Sequence, residues 1–141
     1  MNSTILQLAV PYIRWIFLIV AIIALIRGHN YPGGGFIGGL LAGLAILFEG
    51  FACNMQKLRE QLGKKPQLLI GFGLFTVILS TLPSLFVKKS FMTGIWVTKA
   101  VPLLGNVKLG TPFLFDIGVF LVVIGITLLF LLALTQNRTW K

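Results

Sequence analysis

Acidic residues are scarce in this chain, and so are the other side chains on which most enzymes depend. Its 141 residues include three Asp or Glu, one His and one Cys. One histidine with three acids does not readily supply the nucleophile, base and orienting group of a catalytic site. A zinc site lacks ligands for the same reason, and Cys53 has no partner for an internal disulfide. We therefore predict no enzymatic activity, no metal site and no cofactor.

Charge of either sign is also sparse. Charged residues make up 11% of the chain and hydrophobic residues 57%, whereas a soluble domain carries about 25% charged residues. The mean hydropathy is +0.96. A soluble fold of this size has too much surface for its volume to bury so many apolar side chains. The composition therefore indicates a membrane protein.

Four apolar stretches have the length of a membrane span, at about residues 8–26, 34–52, 68–87 and 113–134. A helix needs ~20 residues to cross ~30 Å of hydrocarbon. We predict an all-α integral membrane protein, one membrane domain over residues 1–141, with four transmembrane helices. A cleaved signal peptide is the alternative for the first stretch, but no small-x-small cleavage site follows it.

The net charge is +9, and most of the basic residues lie in the gaps between the predicted spans. Four spans place both termini on one side, with Lys57, Arg59, Lys64, Lys65, Arg138 and Lys141; the opposite side holds Arg27, Lys88, Lys89, Lys99 and Lys108. The bias is slight, yet the dense 57–65 cluster favours cytoplasmic termini. This distribution is typical of membrane anchoring, and no RNA-binding motif accompanies it, so we expect no nucleic-acid partner.

The segment PGGGFIGG at 32–39 matches the spacing G-x-G-x-x-G through Gly33, Gly35 and Gly38. A dinucleotide-binding turn follows a β-strand, however, and here apolar stretches of lipid length lie on both sides. A phosphate-binding loop would continue with Gly-Lys-Ser/Thr, and Phe36-Ile37 stands there instead. The match is therefore best explained as accidental.

Small residues instead form two rows on one face of the second span. Gly35, Gly39 and Gly43 form one row, with Gly34, Gly38 and Ala42 beside it. Such faces let two membrane helices approach closely, and we expect this one to pack against a helix of a partner protein. Gly118 and Gly125 predict another packing stripe in the fourth span. The segment at residues 29–39 is interpreted as a tight turn that leads into this helix, with a flexible glycine-rich hinge as the alternative.

Two segments carry a family resemblance. RGHNYPGGGFIGGL at 27–40 and GTPFLFDIGVFLVVIG at 110–125 resemble the signature segments of the MrpB/MnhB family, small components of the Mrp-type (multiple resistance and pH) cation/proton antiporters. The resemblance implies a small non-catalytic subunit of a multisubunit Na⁺/H⁺ antiporter of the bacterial or archaeal cell membrane. Its partners would be other hydrophobic antiporter subunits and membrane lipid, and the transported ions would be Na⁺ and H⁺.

Glu49 and Arg14 are charged residues inside predicted spans, where a charge costs ~2.5–3.5 kcal/mol at the helix centre. Both lie towards the terminal side of the membrane, so they can meet. Three interpretations remain open: an Arg14–Glu49 ion pair that holds two helices in register, a pair with a neighbouring protein of the complex, or a direct role in transport.

Asp116, Thr111 and His29 are predicted at the opposite ends of their helices, as a candidate cation path. Asp116 is interpreted either as a carboxylate at the mouth of such a path or as an acid in a first helical turn that offsets the macrodipole. His29 is interpreted as a proton relay or as a hydrogen-bonded turn residue.

Two other functions are considered for this chain, a stand-alone transporter and a membrane anchor. A stand-alone homo-oligomeric channel or carrier would be expected to hold polar residues near the bilayer midplane. A membrane anchor for a soluble enzyme would be expected to carry a larger soluble segment.

Gly105-Asn106 lies between short apolar runs and predicts a small β-hairpin turn in the last loop.

Overall fold

The computed structural model describes residues 4–28, 34–52, 55–86, 94–101 and 105–136. Within these ranges the chain forms five helices and one two-stranded hairpin. In chain order they are α1 (Thr4–Gly28), α2 (Gly34–Ala52), α3 (Met55–Leu62), α4 (Lys65–Phe86), β1 (Trp96–Val101), β2 (Gly105–Gly110) and α5 (Thr111–Gln136). The helical class predicted from the sequence is therefore confirmed, and the hairpin is a small addition to it.

Three of the helices are long and apolar enough to cross a membrane: Leu8–Gly28, Lys65–Ser84 and Thr111–Ala133. The apolar part of α2, Gly34–Gly50, is shorter and covers ~25 Å at 1.5 Å per residue. The structure thus gives three candidate spans by length, together with this shorter apolar helix, where the sequence predicts four spans.

The four apolar helices lie in the order α1, α2, α5, α4, so that α2 and α5 are the inner pair. Gly28 meets Gly34 at one end of α1 and α2, and Arg14 meets Glu49 towards the other, so these helices run antiparallel. Positions 35, 39 and 43 of α2 meet increasing positions of α5. The two inner helices are therefore parallel.

The core lies between the inner helices and the neighbouring side of α1. Its buried members are Ala21, Ala42, Leu47, Ile124 and Leu128. The outer faces of α1 and α4 carry many exposed large apolar side chains, among them Tyr12, Trp15, Ile16, Phe72, Phe75 and Ile78. No described residue of the chain covers these faces, and exposed apolar surface of this kind is typical of contact with lipid or with a partner protein.

Helix α3 lies in the segment that the sequence suggests is a basic loop. It is amphipathic: Leu58 is buried, and Lys57 and Arg59 are exposed. The helix ends at Gly63, whose φ of 46° is left-handed. The Gly63 amide donates to the Arg59 carbonyl at 2.9 Å, which is the closing bond of a glycine C-cap. This turn leads directly into α4.

The hairpin is antiparallel, with Trp96 opposite Gly110 and Val101 opposite Gly105. The predicted hairpin is therefore present, but the predicted position of its turn is wrong. Gly105 and Asn106 begin β2 and pair with β1, so the connection lies at residues 102–104, outside the described residues. The error has a simple cause: a Gly-Asn pair suits a turn by its backbone freedom, and short strands tolerate it as well.

Candidate functional site

Arg14 and Glu49 form a salt bridge between α1 and α2, with 2.7 Å between Nη1 and Oε2. Their side chains are 36% and 40% exposed within the single chain. Phe17 and Phe48, from the same two helices, pack with their rings tilted by 44° and their centroids 5.7 Å apart. The structure therefore brings together the two charged residues that the sequence places at the same depth.

The ion pair does not use the whole guanidinium. The Nε of Arg14 is buried and has no hydrogen-bond partner among the described residues, and the guanidinium carbon lies 5.8 Å from the centroid of the Trp15 ring. A single N–H···O contact fixes the helices less firmly than a two-pronged one. The geometry fits a clamp between α1 and α2.

The glycine face of α2 is covered by helices of the same chain. A Cβ at Gly38 would lie 2.7 Å from the Ala21 carbonyl oxygen of α1, and one at Gly39 would lie 2.8 Å from the Val123 Cβ of α5. The full face divides between the two neighbours: Gly34 contacts α1, Gly38 contacts both α1 and α5, and Gly35, Gly39 and Gly43 contact α5.

The expectation that this face meets a partner protein is therefore wrong for the described residues. A small-residue face predicts a close neighbour but carries no information about which chain supplies it. Ala42 is likewise buried in the core of the chain. The glycines belong to the internal packing of the chain.

Gly118 and Gly125 form the predicted second stripe, on the side of α5 that faces α4. A Cβ at Gly118 would lie 2.8 Å from the Gly73 carbonyl oxygen, and one at Gly125 would lie 2.7 Å from the Pro66 carbonyl oxygen. Helix α5 is thus approached closely on two sides, by α2 and by α4. Side chains at these positions would separate the helices.

Asp116 lies in the second turn of α5, because this helix begins at Thr111 rather than at Phe113. No acidic residue lies in the first turn, so the interpretation of Asp116 as a first-turn acid is wrong. Pro112 lies in the first turn instead, where its missing N–H costs no helical bond. The Asp116 backbone closely approaches Gly35 of α2.

Asp116 and Glu49 are far apart. Asp116 is level with Gly35, and Gly35 precedes Glu49 by fourteen positions on the same helix, which is ~21 Å along the axis. The structure therefore separates the predicted ionisable residues into two levels and does not join them in one site. His29 belongs to the same predicted group as Asp116 but lies outside the described residues.

Thr111 closes the hairpin. Its backbone amide donates to the Ile95 carbonyl at 3.1 Å, and its Oγ1 accepts from the Ile95 amide at 3.1 Å. The two bonds extend the β-ladder by one residue on each strand. They also satisfy a first-turn amide of α5, which has no partner inside the helix. The hydroxyl that the sequence places in an ion path is thus engaged in joining the hairpin to α5.

Metal-ligating side chains are not grouped: no cluster of three His, Cys, Asp or Glu occurs among the described residues. Sequence reasoning missed one polar feature, a cavity between α3, α4 and α5 lined by Arg59, Gly63, Pro66, Gln67, Leu129, Leu132 and Ala133. The polar neighbours of Leu58 in residues 55–62 are a weak signal for a short surface helix, but no sequence signal gives the cavity, because its apolar wall is supplied by α5.

Comparison with known proteins identifies the family of this chain. Residues 5–129 match the family described as the domain related to the MnhB subunit of Na⁺/H⁺ antiporter. The chain is 35% identical over 127 residues to the B-type Na⁺/H⁺ antiporter subunit of Bacillus subtilis, covering 90% of this chain and 89% of that protein.

Two further relatives extend the match over nearly the full length. The B-type Na⁺/H⁺ antiporter subunit of Alkalihalophilus pseudofirmus is 32% identical over 136 residues, covering 96% of this chain and 94% of that protein. A putative antiporter subunit mnhB2 of Staphylococcus aureus is 28% identical over 138 residues, covering 98% of each. The resemblance seen in the glycine and α5 segments is confirmed, and the chain belongs to the family of MnhB-related antiporter subunits.

Proposed function

We propose that this chain is a small non-catalytic subunit of a multisubunit monovalent cation (Na⁺)/proton antiporter in a bacterial or archaeal cell membrane. The observation that carries the proposal is the family match over residues 5–129. Relatives named as Na⁺/H⁺ antiporter subunits of the B type match nearly end to end, so we carry the subunit role over to this chain.

Four helices cross the membrane in this proposal: α1, α2, α4 and α5. The antiparallel α1–α2 and α4–α5 pairs, with α2 parallel to α5, support an up-and-down path. The shorter α2 is an inner helix and is flanked on both sides by longer ones. Both termini then lie on the side of α3, and the basic residues 57–65 favour the cytoplasm for that side.

The outer helices are the proposed contact surfaces. Trp15 and Ile16 of α1 are 61% and 59% exposed, and Phe72 and Phe75 of α4 are 66% and 63% exposed. Because the glycine face is used internally, we place partner subunits and lipid against these outer faces rather than against the glycines. This differs from the sequence-based expectation, in which the glycines themselves contact the partner.

The interior of the chain supports a scaffold role over a conducting one. Between the levels of Asp116 and Glu49, the glycines of α2 lie against Phe120, Val123 and Thr127 of α5, and the buried core residues of the two helices are apolar. The Thr127 hydroxyl donates to the Val123 carbonyl at 2.7 Å, so it is engaged with its own helix. We place the main route of Na⁺ and H⁺ in partner subunits.

In this proposal Asp116 still contributes to the ion path, at the end of the helices next to the hairpin. Of the three acidic residues, Asp116 lies near this end, whereas Glu49 and Glu60 lie towards α3. A carboxylate there would raise the local concentration of cations at the mouth of a partner's path. Arg14 and Glu49, by contrast, are proposed to hold α1 against α2.

Gene deletion followed by complementation tests this function. Inverted membrane vesicles lacking this chain should show little Na⁺-dependent proton exchange, and exchange should return when the chain is supplied. The purified chain alone, reconstituted into liposomes, should show none. Normal exchange in the deletion strain, or exchange by the chain alone, would overturn the proposal; the second result would identify a stand-alone carrier.

A further inference from the structure

The cavity between α3, α4 and α5 has a basic rim and an apolar wall. Its volume is about 190 Å³. Arg59 and Gln67 contribute polar side chains to its lining, whereas Leu129, Leu132 and Ala133 of α5 contribute an apolar wall. A cationic group next to a hydrocarbon wall fits an amphiphile with an anionic head.

The charge around the cavity strengthens this match. Residues 55–67 contain four basic side chains and one acidic side chain. Lys64 and Lys65 are exposed in the turn that borders the cavity, and Arg59 is exposed on its rim. A basic residue next to an anionic headgroup attracts it with an energy that corresponds to about fivefold in affinity, and this attraction falls off within a Debye length of about 10 Å.

The apolar wall continues onto the outward surface of the bundle. Leu129 and Phe130 of α5 are 38% and 60% exposed, and Leu68 of α4 is 57% exposed. An acyl chain that starts at the cavity therefore finds apolar side chains on both helices. In the proposed membrane arrangement, on which this inference rests, the cavity lies at the end of these spans, at the depth of lipid headgroups.

We infer that this cavity binds an anionic phospholipid, with the phosphate at Arg59 and the upper acyl chain against Leu129, Leu132 and Ala133. The bound lipid fills the wedge between the short amphipathic helix and the spans. It thereby anchors α3 to the membrane surface. An acidic segment of a partner protein is the competing occupant, and it would not need the apolar wall.

Spin-labelled lipids provide the test. The purified full-length chain is reconstituted into phosphatidylcholine vesicles, and the motionally restricted fraction is measured for spin-labelled phosphatidylglycerol and spin-labelled phosphatidylcholine. The wild-type chain should prefer phosphatidylglycerol. Arg59→Gln should lower that preference about fivefold, while Arg59→Lys should keep most of it.

Lys57→Gln is the matched control. It removes the same charge from the same helix, and Lys57 is exposed without lining the cavity. It should change the preference much less than Arg59→Gln. Ala133→Phe fills the apolar side of the cavity without changing charge and should also lower the preference, while circular dichroism shows an intact helical fold.

Three results would overturn the inference. The wild-type chain could show no preference for phosphatidylglycerol, which would leave the cavity to a partner protein. Lys57→Gln could equal Arg59→Gln, which would indicate diffuse surface charge. Ala133→Phe could leave the preference unchanged, which would remove the apolar wall from the site. None of these results depends on measured Na⁺/H⁺ exchange, so the subunit proposal is judged separately.

Discussion

Thr127 of α5 stands directly against Gly43 of α2, so that a Cβ at position 43 would lie 2.9 Å from the Thr127 Cβ. The contact joins two inner helices that run in parallel. Glycine here replaces the side chain that would hold the helices apart, and close packing of this kind drives helix association in lipid. The helices that cover the glycine face of α2 therefore belong to the same chain.

Cysteine cross-linking checks that this contact lies within one chain. With Cys53 changed to Ala, the pair Gly43→Cys and Thr127→Cys should form a disulfide in native membranes under mild oxidation, because a slight separation of α2 and α5 brings the two Cβ positions, 2.9 Å apart here, to the ~3.5–4.5 Å that a disulfide spans. The product should run as a monomer on a non-reducing gel. Gly43→Cys with Ile126→Cys is the control, since Ile126 is 51% exposed and Gly43 is buried. A cross-linked dimer, or equal yields from both pairs, would contradict the packing.

Alanine substitutions at two glycines should have opposite effects on stability. Gly39→Ala places a methyl group 2.8 Å from the Val123 Cβ and 2.9 Å from the Phe120 carbonyl oxygen. We expect it to destabilise the folded chain by ~1–3 kcal/mol through overpacking. Gly71→Ala meets nothing within 4 Å and should gain up to ~1 kcal/mol from helix propensity.

Thermal unfolding in detergent, followed by circular dichroism, compares the two alanine variants. Both make the same chemical change inside an apolar helix, so the difference between them reports the space available at each position. Equal melting temperatures for Gly39→Ala and the wild-type chain would show that the glycine face is not closely packed.

The helical class and the Arg14–Glu49 ion pair are predictable from the sequence. The length of each apolar stretch, and the position of each charged residue within it, can be counted directly. The neighbour of the glycine face is not predictable, because small side chains record close approach and not the identity of the approaching chain. Hydropathy starts the last helix at Phe113 and so assigns Asp116 to a first turn. Thr111 and Pro112 extend that helix, since the hairpin hydrogen bonds at Ile95 fix its beginning.

Other features escape prediction because their signal is short. Helix α3 has eight residues, too few for a hydrophobic period to stand out, and its glycine C-cap is evident only from the φ of Gly63. The cavity beside Arg59 depends on how α3 folds back towards α5, which is a tertiary relationship. Sequence pattern alone gives the basic cluster but not the wall opposite it.

A double-mutant cycle measures the ion pair between α1 and α2. Arg14→Gln and Glu49→Gln should each lower stability, because each leaves one charge without its partner. The double variant should lose less than the two singles together, with a coupling energy of ~1 kcal/mol. Chemical unfolding of the purified chain supplies the values.

The transport assay separates the clamp from a direct role of Glu49. Na⁺-dependent proton exchange of Glu49→Gln complexes, normalised to the amount of assembled complex, should match that of the wild type. A large drop in normalised exchange together with unchanged stability would assign Glu49 to ion handling instead.

The hairpin connection depends on the Thr111 hydroxyl. Thr111→Val removes the acceptor for the Ile95 amide and should weaken this junction by ~1 kcal/mol, whereas Thr111→Ser keeps the hydroxyl. Hydrogen exchange at the Ile95 amide should accelerate about fivefold in the valine variant, which is the same free energy expressed as a rate ratio, and change little in the serine variant. Similar protection in both variants would remove the hydroxyl from the junction.

The most direct test of the subunit assignment is purification of the tagged chain from native membranes in mild detergent, with mass spectrometry of everything that elutes with it. We expect one complex in which this chain is accompanied by other hydrophobic antiporter subunits in fixed ratio, and which exchanges Na⁺ for H⁺ after reconstitution. Elution of this chain by itself, as a homogeneous species that carries out exchange, would contradict the account.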